Sequence, residues 1–171
     1  MKNVTSDQLR AIQAPLKESY RENPEAAVIT LQASGNIGEG LSCSVETGKA
    51  LVQAGLHPAT GGSGLQACSG DMLLQALVAC SGVTLNAVAT ALGIELREGK
   101  ITAEGDLDFR GTLGVDKEAP VGFKSIRLLI DLDTDAEADS IQTLLKLTER
   151  YCVVYQTLSG GVDIKVTLAG Q

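Results

Sequence analysis

The chain has 171 residues, 44% hydrophobic and 20% charged, enough to bury a core as one domain without a disulfide or metal staple. Aromatic residues make up 3%, Trp is absent and the formal net charge is −7, which argues against a base-stacking platform, a phosphate-backbone binder and an anionic membrane surface. The cysteines, Cys43, Cys68, Cys80 and Cys152, contain no CxxC pair and a single histidine completes no zinc pattern, so neither a metal nor a bound cofactor is expected. The opening MKNVTSDQLR holds no apolar signal segment, and small polar residues interrupt each apolar run before bilayer length. The protein is therefore expected to be cytoplasmic, free of membrane, with its thiols kept reduced.

Residues 5–21 read as a surface helix, an extension (residues 1–24) on a single domain spanning 1–171. Thr5 or Ser6 caps it, Leu9, Ile12 and Leu16 recur at helical spacing, and Pro15 predicts a kink or a break. AAVITLQASG and GLSCSVETG then alternate as strands around a Gly-rich turn, GNIGEG, and KALVQAG adds a third strand. Residues 57–71, HPATGGSGLQACSGD, form a Gly- and Ser-rich loop without the Walker spacing. A long helix is predicted over roughly 70–92. Two short strands follow in GIELREGKITAEGDLDFRG and another in FKSIRLLIDLDT. A second helix falls in DAEADSIQTLLKLTER, with Ile141, Leu144, Leu145 and Thr148 on one face. YCVVYQTLSGG suits a strand by its β-branched residues and a helical turn by its position, and VDIKVTLAG closes the chain as a strand. This order gives an α+β domain with the apolar helix packed on antiparallel sheet.

The long helix carries one thiol in its middle. Cys80 shares a face with Leu73, Ala76, Leu77, Thr84, Ala87 and Ala91, and the opposite face is apolar as well. A helix apolar all round must be covered on more than one side. Ser81 and Gly82 are small, so another element can approach closely there, the same helix of a second subunit included. Cys80 then has two readings: a small core hydrophobe made inert by burial, or a reactive sulfur with a partner that favours the thiolate. A second thiol, Cys152, follows the later helix in ERYC, with Arg150 two residues away. If CVVYQTL begins a helical turn, its free N–H groups favour a thiolate too.

LLQALVACSGVTL, with LTERYCVVYQTLSG placing Cys152 72 residues after Cys80, resembles the OsmC/Ohr family, the osmotically inducible and organic-hydroperoxide-resistance proteins. There the apolar central helix ends a leu-leu-x-ala-leu-x-ala-cys phrase in the first redox cysteine, and the second follows a later helix, commonly as cys-pro. VETGKALVQAGLHPATGGSG resembles the strand and loop that lead into that helix, and the likeness spans roughly residues 26–170. The resemblance implies an OsmC-like fold, antiparallel sheets packed around a central apolar helix, in an intertwined homodimer with sites near the interface. It implies a thiol peroxidase acting on organic hydroperoxides, with Cys80 peroxidatic and Cys152 resolving. An external dithiol would reduce their disulfide.

Other positions depart from the family. Its activating Glu stands ten residues before the first cysteine, where this chain has Gly70, and its activating Arg has no counterpart in AAVITLQASGNIGEGLSCSVE. The cys-pro is Cys152–Val153. Asp71 and Arg150 are candidate substitutes, although Asp71 also reads as a first-turn acid that points to the other side of the helix and complements its dipole. Two functions follow: a divergent thiol peroxidase, or a non-catalytic redox sensor or binder of a small apolar or electrophilic molecule. Cys68 is either a third thiol near the site or a small loop residue. Cys43 reads as core, His57 as a loop residue, and Asp106, Asp108, Asp131, Asp133 and Asp135 as a solvated face.

Overall fold

Residues 69–92 hold one feature that organises the rest: a run of Leu, Ala and Val without proline, opened by an acid and closed by glycine. In the computed structural model, which describes residues 5–23, 34–37, 42–46, 51–114 and 116–170, this run is helix α2, Ser69–Leu92. Asp71 sits in its first turn, where a negative charge offsets the helix dipole. Gly93 ends it at φ 72°, a left-handed cap whose N–H reaches the carbonyls of Ala89 and Thr90. Leu77, Ser81, Leu85 and Ala89, spaced four apart, form its buried edge. By length and composition alone α2 could cross a bilayer, contrary to the sequence expectation, and 28% of its most apolar stretch is buried by this one chain.

Helix α1, Ser6–Glu22, packs on α2 and runs through Pro15 without a break. Its start is a reciprocal cap: Gln8 N–H donates to Thr5 Oγ1 (3.2 Å) and Thr5 N–H to Gln8 Oε1 (3.0 Å). Strands β1 (Ser34–Ile37), β2 (Ser42–Glu46) and β3 (Leu51–Gly55) are antiparallel, and β4 (Ala67–Cys68) adds parallel to β3. Most of the first expected strand falls outside the described residues. The expected glycine-rich turn does not begin at Gly35, which pairs with Val45 inside β1–β2. Cross-strand pairing there outweighs the local turn propensity. Cys43 lies in the middle strand, opposite Ile37 and Ala54. His57 accepts the Ala59 N–H at Nδ1 and stacks on Phe109 at 5.0 Å, a structural role in the loop before β4.

The two short strands expected after α2 are one ten-residue strand, β5 (Glu98–Leu107), paired antiparallel with β6 (Phe123–Asp133). Gly105 does not interrupt it. A Cβ there would lie 2.4 Å from the Phe123 ring, so the glycine makes room for that side chain. A short helix, α3 (Phe109–Thr112), joins the strands. The outer face of the hairpin carries solvated ion pairs. Arg127 binds Glu104 and Asp106 and holds Asp106 well below the usual carboxylate range. Arg97 binds Asp133 and Asp135. Asp108, expected on the same solvated face, instead caps α3 beyond the end of β5, with Arg110 on its largely covered carboxylate.

Helix α4 (Ala138–Tyr151) lies against α2, with Leu144 and Thr148 buried as the expected face requires. A short helix, α5 (Val153–Gly160), follows at once, so the ambiguous segment after Tyr151 is helical. The last expected strand does not form: residues 161–168 carry no secondary structure. A strand exists only by the hydrogen bonds of a neighbour, and none pairs with this segment among the described residues. Its alternating Val162, Ile164, Val166 and Leu168 are 62–94% exposed.

Leu144, with no exposed surface, closes the core against Leu85 and Ala89. Leu144→Ala is expected to destabilise the fold by about 2–5 kcal/mol through lost burial and an unfilled cavity. Urea unfolding should show a lower midpoint with an unchanged slope.

Candidate active site

Cys152 stands where α4 stops and α5 starts. Its backbone is extended, φ −74° and ψ 109°, and it belongs to both helices. Its N–H donates to the Thr148 carbonyl (2.9 Å), closing α4, while its sulfur accepts the Tyr155 N–H (3.5 Å), capping α5. Cysteine thus takes the N-cap place that Ser or Asp usually fills. A second hydrogen bond joins Cys152 Sγ and Ser81 Oγ at 3.4 Å, and both residues are fully buried.

The bend at Cys152 turns the start of α5 toward α2 at the level of Cys80. The first N–H groups of a helix have no partner within it and are free to point outward. Here the N–H groups of Val153 and Val154, the Cys152 thiol and the Thr84 hydroxyl one turn further along α2 surround the Cys80 sulfur closely enough to favour its thiolate. Partial burial pushes the Cys80 thiol up. The Val154 amide, then the Cys152 thiol, the Val153 amide and Thr84 act the other way and prevail, so its pKa lies below the ordinary thiol value. These groups are all neutral. Half-buried Cys80 therefore has a thiolate-favouring environment built from a helix start rather than from a cation.

The two thiols that the sequence singled out are neighbours. The three supporting candidates are not brought to them. Arg150 lays its guanidinium over the Tyr151 ring, 5.7 Å from its centre. Asp71 borders the β5 side of α2 with Leu74 and Val78, nine residues, or about 13 Å of helix, from Cys80. Cys68 caps the start of α2 in position but not by its side chain, about 18 Å of helix away. Gly70, where the family's acid would stand, faces Phe123, Leu107 and Cys68, with a Cβ position 3.5–3.6 Å from each. None of these three neighbours carries a charge to pair with a carboxylate. Sequence reasoning missed Ser81, Thr84 and Val153. Each left a partial signal: Thr84 shares the Cys80 face, Ser81 is small enough for close approach, and Val153 replaces the family's proline, which has no N–H to give.

Beneath the site, β6 and the helices enclose a groove of about 500 Å³ lined by Ser81, Cys152, Leu128, Leu145, Thr148 and Tyr155. A second space of about 370 Å³, bordered by Leu77, Phe123 and Leu158, shares Ile126 and Tyr155 with it. Cys152, not Cys80, lines this groove. Cys80 lies on the adjoining strip of α2, beside the exposed Leu73 and Val83.

A central apolar helix, an antiparallel hairpin against it and two thiols meeting at a helix–helix bend define an α+β fold of the OsmC-like class. Residues 62–167 match the family described as OsmC-like protein, and the chain belongs to that family. It superposes on an OsmC-like protein from Mycoplasma pneumoniae with a TM-score of 0.65 at 18% identity, covering 78% of this chain and 89% of that one. An organic hydroperoxide resistance protein OsmC from Legionella pneumophila gives 0.62 at 20% identity, covering 81% and 96%. The organic hydroperoxide resistance protein OhrB of Bacillus subtilis gives 0.56 at 21% identity, covering 81% and 97%. No curated protein matches the sequence.

Val153→Pro isolates the amide contribution. Proline fits the first position of a helix, and the extended backbone of Cys152 suits a residue before proline, so α5 should persist. The variant loses one N–H at the Cys80 sulfur. Carboxamidomethylation of Cys80, which follows the thiolate fraction, should be several-fold slower at neutral pH, with its pH profile displaced upward.

Proposed function

We propose that the protein is a thiol peroxidase that reduces organic hydroperoxides through a Cys80–Cys152 disulfide cycle. The observation that carries this reading is the placing of the Cys80 sulfur, its pKa lowered, beside a second thiol at the start of α5. The Cys80 thiolate attacks the distal peroxide oxygen, the O–O bond breaks, and the alkoxide leaves as the alcohol after taking a proton. Cys80 is then a sulfenic acid. Cys152 attacks that sulfur, the S–O bond breaks, and water leaves with the Cys152 proton. An external dithiol reduces the disulfide by exchange. The aliphatic surroundings, Leu73, Leu77 and Val83, suit an alkyl group better than the small polar hydrogen peroxide.

The active form in this reading is a homodimer. Leu73 and Val83 on α2, and Val162, Ile164, Val166 and Leu168 near the C-terminus, leave apolar surface beside Cys80 and along one extended segment uncovered. The alternation from 162 to 168 suits an added strand, which a second copy would pair and cover. Sedimentation should show twice the chain mass at micromolar concentration, and Val166→Asp should shift it toward monomer by placing a charge on the face to be buried.

The catalytic reading is checked with cumene hydroperoxide. Wild type should form the Cys80–Cys152 disulfide, Cys152→Ser should stop at a Cys80 sulfenic acid that dimedone traps, and Cys80→Ser should consume no peroxide. An intact Cys152→Ser protein that dimedone does not label would falsify the peroxidase. The missing Arg and Glu would then favour a redox sensor or a binder of small apolar molecules.

A further inference from the structure

Ser81 follows Cys80 in sequence but addresses the other sulfur. One residue turns a helix by about 100°, so Ser81 faces α4 and α5 while Cys80 faces the start of α5. Its Oγ lies 3.4 Å from Cys152 Sγ in a site with no exposed surface on either residue, and no other side-chain hydrogen bond of Ser81 occurs among the described residues. The Tyr155 N–H reaches the same sulfur at 3.5 Å. The hydroxyl therefore depends on Cys152 for its partner.

A thiol both gives and accepts hydrogen bonds. A disulfide sulfur has no proton to give, accepts poorly, and in this pair would be drawn toward Cys80. Oxidation would leave a buried hydroxyl short of a partner, and that penalty falls on the disulfide alone. We propose that Ser81 sets the redox balance of the Cys80–Cys152 pair, favouring the dithiol and keeping the disulfide easy to reduce. This role rests on the Cys80–Cys152 pairing proposed above, not on peroxide turnover. Against glutathione the exchange balances simply: both S–H bonds break, one S–S bond forms, and two electrons and two protons convert one glutathione disulfide to two thiols.

The test equilibrates wild type, Ser81→Ala, Ser81→Thr and Ser81→Val in reduced and oxidised glutathione, then quantifies the disulfide by mass after acid quench and alkylation. Ser81→Ala should favour the disulfide by up to about ten-fold, a midpoint about 30 mV more negative. Threonine and valine have the same shape and differ by the hydroxyl, and the bordering groove has room for either. Threonine should keep the wild-type midpoint, and valine should follow alanine. An unmoved midpoint in alanine, equal midpoints in threonine and valine, or a wild type that forms no Cys80–Cys152 disulfide overturns the proposal. Hydroperoxide consumption is assayed separately. A shifted midpoint without turnover keeps the role of Ser81 and removes the peroxidase, whereas turnover with an unmoved midpoint does the reverse.

Discussion

The site depends on one bend in the backbone, the extended residue at Cys152 between two helices. Had α4 continued through it, the N–H groups of Val153 and Val154 would be spent on carbonyls of the preceding turn and could not reach Cys80. The bend persists because both ends are tied: the Cys152 N–H closes α4 on Thr148, and the sulfur opens α5 on Tyr155. Thr148 and Leu144 anchor the last turns of α4 against α2, so the position of the bend is set by core packing. One residue thus supplies a sulfur and a helix start to the same point, and the burial of Leu144 fixes where that point lies.

The electrostatic arrangement differs in kind from an ion-paired site. Here the charge that a Cys80 thiolate would carry meets dipoles that are already oriented, at no cost of reorganisation. Neutral donors are little affected by salt, unlike the exposed Arg97 and Arg127 pairs on the far face of the hairpin. The replacement of proline by Val153 and the absence of a family acid at Gly70 belong together in this light. A site that relies on amide donors gains from an N–H at 153 and has no use for a carboxylate at 70, where the neighbours are apolar.

Much of this was legible in the sequence where a long periodic signal and strong punctuation agreed. The limits of α2 followed from an uninterrupted apolar run and Gly93, and the buried face of α4 from Leu144 and Thr148. The pairing of Cys80 with Cys152 came from resemblance alone. Failures cluster where short-range preference met a tertiary demand. Val153 and Val154 have strand character, yet the sulfur cap and the packing of α5 on α2 made the segment helical. Gly35 opened the expected turn but pairs in a sheet, and the two short strands expected before α3 are one, with Gly105 seating Phe123. Asp71 lies on the other side of α2 in its first turn, as its nine-residue spacing implied, while Arg150, near Cys152 in sequence, turns to the Tyr151 ring. Ser81 was legible as a point of close approach, but its partner was not, because Cys152 lies after another helix, 71 positions away.

The complete burial of Cys152 also fixes which sulfur outside molecules can touch. Displacement at a disulfide needs the incoming thiolate in line with the bond, which requires open space at the sulfur attacked. Cys152 borders the groove but exposes none of its own surface, while half-buried Cys80 exposes part of its own. In the proposed cycle the reductant therefore forms its mixed disulfide with Cys80, and Cys152 leaves as the thiol. A tripeptide thiol that caps Cys80 would be expelled from within by Cys152, so adduct formation and its reversal share one exposed atom.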